Sequence, residues 1–184
     1  MRTLSVLLLL ATSATAQPQS RDYRVLATKK TSSMEKEMNE AAASGFVFSS
    51  TMGGETSVGG NEIVVVMKAG EGRGNRQYRL LAASKTSTLE KELQRLGTEG
   101  YAYRGQTVYE SSFGGREVVA IVERGPEDSG RRFEYRLLAT SKTSTMEKEL
   151  KQAGADGFDL MATTVAKTSF GGAELVSILM RTRQ

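Results

Sequence analysis

The stretch Tyr78-Arg79-Leu80-Leu81-Ala82, with Lys85-Thr86-Ser87 and Glu90-Lys91-Glu92 behind it, decides how the whole chain is read, because it occurs three times. Tyr23-Arg24-Val25-Leu26-Ala27 stands 55 residues before it, and Tyr135-Arg136-Leu137-Leu138-Ala139 stands 57 residues after it. Lys30-Thr31-Ser32 and Lys142-Thr143-Ser144 keep the offset, as do Glu35-Lys36-Glu37 and Glu147-Lys148-Glu149. Further out, Gly45, Gly100 and Gly157 match, as do Ser57, Ser112 and Ser169. The pairs Gly59-Gly60, Gly114-Gly115 and Gly171-Gly172 follow, and then Glu62, Glu117 and Glu174. Such self-similarity marks tandem structural units. The copies align without a gap, giving repeats at 23–69, 78–124 and 135–181. Gly-rich, charged linkers fall at 70–77 and 125–134.

Each repeat reads as strand, helix, strand, strand. The Tyr-Arg run is the first strand. Ser32, Ser87 and Ser144 are expected as N-caps, each boxed by a glutamate three residues on: Glu35, Glu90 and Glu147. Apolar residues at helical spacing follow: Met34, Met38 and Ala41, then Leu89, Leu93 and Leu96, then Met146, Leu150 and Ala153. Gly45, Gly100 and Gly157 suit a left-handed residue after the helix, and the next aromatic opens the second strand.

The third strand, such as Ile63-Val64-Val65-Val66-Met67, is apolar on both faces. A strand with water on one side alternates, so this one belongs in the middle, giving order 1-3-2. The helix covers one face. The other face is expected to carry Leu26, Leu81 and Leu138 with Val64/Val66, Val119/Ile121 and Val176/Ile178. The tyrosines Tyr23, Tyr78 and Tyr135 are expected over the helix of their own repeat, hydroxyl outward. A lone repeat is near the size limit for independent stability. The expectation is therefore an α+β fold of three tandem β-α-β-β modules, packed into one body with helices outside. The spare faces and open edges could equally join other chains.

The segment Leu96-Gly97-Thr98-Glu99-Gly100-Tyr101 resembles the L-G-x-E-G-W-E core of a group of short bacterial domains of unknown function, which open on a Y-K-V strand. Ala153-Gly154-Ala155-Asp156-Gly157-Phe158-Asp159 is similar, while the first copy keeps only Gly45 of the two glycines. The family's tryptophan is absent from all three copies. The resemblance implies the β-α-β-β fold and no activity.

The composition excludes much chemistry. The 184 residues contain no cysteine, histidine or tryptophan. Disulfides, thiolate nucleophiles, imidazole bases and Cys/His metal sites are thereby removed. Met1-Arg2, the apolar run Leu4–Leu10 and Ala14-Thr15-Ala16 read as a signal peptide over 1–16, followed by an arm at 17–22. The chain is thus expected to be exported, periplasmic or extracellular, with no transmembrane segment in its mature form. Its net charge of +4, or +3 without Arg2, is mild, and E-K-E alternation reads as a solvated surface. No nucleic-acid partner is expected.

Few residues remain for a site. Helix starts attract anions, so Lys30 and Ser32, Lys85 and Ser87, and Lys142 and Ser144 are candidate anion-binding positions. The simpler reading of each is a capped helix beside a solvated lysine. The Gly-Gly pairs read as turns. The paired glutamates on each helix invite a glycosidase reading, but residues two apart face different sides. Glu62, Glu117 and Glu174 are expected to pair with Arg24, Arg79 and Arg136 across strands. No catalytic, metal or cofactor residues are assigned. The expectation is an exported, non-catalytic binding or scaffold protein with a protein or glycan partner. The alternatives are a self-assembling homo-oligomer or filament and, behind both, a carboxylate/lysine hydrolase acting on cell-wall polymers.

Overall fold

A computed structural model describes residues 22–57, 60–70, 75–110, 116–167 and 172–183. The expected signal peptide, most of the following arm, Ser112, Ser169 and the Gly114-Gly115 pair lie outside the described residues, as do Gly59 and Gly171. The first module comprises β1 (Tyr23–Thr28), α1 (Thr31–Ala43), β2 (Phe46–Thr56) and β3 (Gly60–Ala69). The second comprises β4 (Gln77–Ala83), α2 (Thr86–Thr98), β5 (Ala102–Glu110) and β6 (Arg116–Arg124). The third comprises β7 (Phe133–Thr140), α3 (Thr143–Ala155), β8 (Asp159–Lys167) and β9 (Ala173–Thr182). Each module is an antiparallel three-stranded sheet, β1-β3-β2, β4-β6-β5 or β7-β9-β8, with one helix. The doubly apolar strand is central in all three.

The helices end as their glycines dictate. Gly45, Gly100 and Gly157 have φ of 90°, 88° and 82°, a region closed to most L-residues. The next backbone N–H then folds back, as from Tyr101 to the Leu96 carbonyl and from Phe158 to that of Ala153. The helix starts differ from expectation. Lys30, Lys85 and Lys142 occupy the N-cap positions in extended backbone, with no side-chain cap bond. The serines sit inside the first turn, and no capping box forms. Glu35 and Glu90 have better partners elsewhere, described below.

The strand register defines a front face, toward the module's own helix, and a back face. Leu26 lies opposite Val65, so it shares the front with Ile63, Val65 and Met67. Tyr23, Val25 and Ala27 therefore face backward with Val64 and Val66. This reverses the expected assignment of both the leucines and the tyrosines. The cause is parity: a one-residue difference in register exchanges the faces of a strand. The expected Glu–Arg pairs fail for a related reason. Arg24 is opposite Met67, and β1 ends opposite Ile63, before Glu62 is reached. Glu117 lies opposite Tyr109 and Glu174 opposite Ala166.

The modules stack front to back. One core joins Met34 and Met38 of α1 and the front of the first sheet to Tyr78, Val119 and Ile121 on the back of the second. A second core joins Leu89, Leu93 and Leu96 of α2 and the front of the second sheet to Tyr135, Val176 and Ile178 on the back of the third. The small front of the third module, around Ala153, Phe158 and Leu179, is a separate cluster. Among the described residues, no helix is long and apolar enough to cross a membrane.

Candidate functional site

Several of the repeated side chains, the tyrosines and the helix glutamates among them, meet at the joints between modules. A first strand is an edge strand, and its outer N–H and C=O groups need partners when another element covers them. Helix α1 supplies these to β4. The Leu80 N–H donates to Glu35 Oε2 at 2.9 Å, and the Arg79 guanidinium donates to Glu35 Oε1 at 2.8 Å. The Tyr78 N–H donates to Asn39 Oδ1 at 2.9 Å, and Asn39 Nδ2 donates to the Tyr78 carbonyl at 3.1 Å. Helix α2 treats β7 alike: the Leu137 N–H donates to Glu90 at 3.1 Å, and the Gln94 amide donates to the Tyr135 carbonyl. The glutamate expected to cap its own helix thus caps the sheet edge of the next module.

The tyrosines lock the same joints. β2, β5 and β8 each carry an irregularity at the same place, between Phe48 and Ser50, Tyr103 and Gly105, and Leu160 and Ala162. The Tyr78 hydroxyl reaches back to accept the Phe48 N–H at 2.9 Å. The Tyr135 hydroxyl donates to the Tyr101 carbonyl at 2.8 Å. Tyr78 and Tyr135 are each 1% exposed, whereas Tyr23, with no module behind it, is 54% exposed. Burial pushes the phenols of Tyr78, Tyr103 and Tyr135 well above their usual range. Small residues on the back receive large ones on the front: a Cβ on Gly105 would run into the Phe48 ring.

One cluster of charge lies where the linkers meet. Glu123 and Asp128 are buried, and with Glu127 their oxygens converge closely enough to hold a cation. Arginines already fill that role. Arg76 contacts Glu123 and Glu127, both at 2.5 Å. Arg104 lies 3.2 Å from Glu123 and 3.5 Å from Asp128, and Arg131 lies 3.7 Å from Asp128. The Arg76 hydrogen bond holds the Glu127 carboxyl below its usual range, and that same bond raises Arg76 further. Three guanidiniums against three carboxylates make a neutral knot that ties the two linkers together. The one buried polar group without a partner among the described residues is the Gln106 amide, on the front of the second module.

Lys30, Ser32, Lys85, Ser87, Lys142 and Ser144 are all exposed, two at each of three separate helix starts. The structure does not gather them into one place. The residues missed from the sequence are Asn39 and Gln94, whose signal was their shared position on the helix, and Glu123 and Asp128. No family model, curated protein or solved structure matches the chain.

Proposed function

We propose that this chain is an exported, non-catalytic scaffold whose three modules form one stiff, short row that presents its surface to a protein or glycan partner. The observation that carries the reading is where the repeated polar residues are spent. Glu35, Glu90, Asn39 and Gln94 hold the next module, and the hydroxyls of Tyr78 and Tyr135 hold the module before their own. A general acid needs a carboxyl kept protonated by a raised pKa. Glu127 and Asp156 are displaced the other way, each by an arginine hydrogen bond. Export rests on the signal-like pattern of residues 1–16. The test is twofold. The purified chain is expected to turn over no glycan, peptide or phosphoester; turnover of any of them overturns the non-catalytic reading. A reporter fused behind residues 1–22 is expected to leave the cytoplasm; its retention there overturns export.

A further inference from the structure

We infer that the row continues from molecule to molecule, the front of the third module receiving the back of the first module of a second copy. Among the described residues, the large apolar side chains left exposed are confined to the two end faces. Tyr23, Val25 and Met52 lie on the back of the first sheet, and Leu160 and Val165 lie on the front of the third. Their counterparts at the internal joints are covered: Tyr78 and Tyr135 match Tyr23, and Tyr103, 5% exposed, matches Leu160. The end faces therefore carry opposite halves of a joint that the chain already makes twice. Small-on-large matching persists, since Ser50 stands at the position of Gly105 and Leu160 at that of Phe48. The polar half persists as well. Glu147 occupies the position of Glu35 and Glu90 but, among the described residues, has only exposed Lys151 as its partner, at 2.5 Å. A shallow hollow on α3, lined by Ser144, Glu147, Lys151 and Gln152, lies where α1 and α2 seat the next strand. In the second copy, the Val25 N–H is the counterpart of the Leu80 and Leu137 N–H groups. Lys151, at the position of Asn39 and Gln94, donates to the Tyr23 carbonyl. Such a contact is heterologous, so it extends as a filament or closes as a ring according to the rotation per joint.

This deepens the scaffold reading and rests on it, but its test reads mass rather than turnover, so either can fail alone. The chain is prepared in three forms: unchanged, with a blocked back (Val25→Glu with Met52→Glu), and with a blocked front (Leu160→Glu with Val165→Glu). These positions are exposed, and thermal unfolding checks that each form folds. Where a double change disturbs folding, the single changes Val25→Lys and Val165→Lys replace it. Light scattering is expected to show the unchanged chain growing in mass with concentration below about 1 mM. Each blocked form is expected to stay monomeric alone, and their mixture to give a species of two chains, because one intact front meets one intact back. An unchanged chain that stays monomeric overturns the inference. So does a blocked form that dimerises alone, since that contact would be front to front or back to back, or a mixture that stays monomeric.

Discussion

Replacing Glu35, Glu90 and Glu147 by alanine, one at a time, separates a joint from a cap. All three occupy the same position of the same helix with nearly the same neighbours in sequence. If they served their own helices, the three losses would be alike, at about 0.5–2 kcal/mol each. The structure predicts otherwise. Glu35 accepts the half-buried Leu80 N–H and pairs with Arg79, which is about half exposed. A hydrogen bond to a charged acceptor contributes about 1.5–3 kcal/mol, and an ion pair this wet adds little. Removing Glu35 should therefore cost about 2 kcal/mol, and removing Glu90 about the same. Among the described residues Glu147 has only a lysine partner, both side chains being largely solvent-exposed. Its removal should cost under about 0.5 kcal/mol in dilute monomer. For a chain of this length, 2 kcal/mol lowers the melting temperature by roughly 4–8 °C. Thermal unfolding followed by circular dichroism at low concentration reads the difference. Three equal shifts would refute the joint.

Glycines at matching positions give a sign test: Gly97→Ala drives a Cβ into the Phe133 carbonyl and the Tyr135 ring and should destabilise, whereas at Gly154 nothing lies within 4 Å and the same change should stabilise by up to about 1 kcal/mol. Removing the hydroxyl with Tyr135→Phe should cost about 0.5–1.5 kcal/mol in urea unfolding, and Tyr23→Phe nothing measurable. Because burial raises the phenols of Tyr78, Tyr103 and Tyr135, the unfolded chain gives up those protons first; stability should be intact below about pH 10 and fall above it, by up to about 1.4 kcal/mol per pH unit for each tyrosine, with a shallower fall in Tyr135→Phe. Gln106→Met, which removes a buried amide without a partner, should raise stability by about 1–3 kcal/mol in the same urea titration.

The module was legible because two signals agreed: the threefold repeat gave the boundaries, and the doubly apolar third strand gave the strand order. Strand parity was not, since Tyr-Arg-Val-Leu-Ala carries apolar residues on both faces and only the pairing of Leu26 with Val65 decides between them. The capping box misled because a local pattern and a tertiary contact compete for one carboxylate, and the covered edge of β4 offers the stronger demand. Asn39, Gln94 and Lys151 differ in identity, so the repeat comparison passed over the helix position they share. Glu123 and Asp128 were invisible for the opposite reason: with Arg76 they belong to the linkers and their borders, where the repeats diverge.

Amide hydrogen exchange at one strand position in three copies tests the front-to-back row most directly. In the monomeric blocked-front form, the Leu80 and Leu137 N–H groups should be protected by the carboxylates of Glu35 and Glu90. The Val25 N–H, with no module behind it, should exchange at the rate of an open strand edge. Rapid exchange at Leu80 and Leu137, or equal protection at all three, would contradict the stacking.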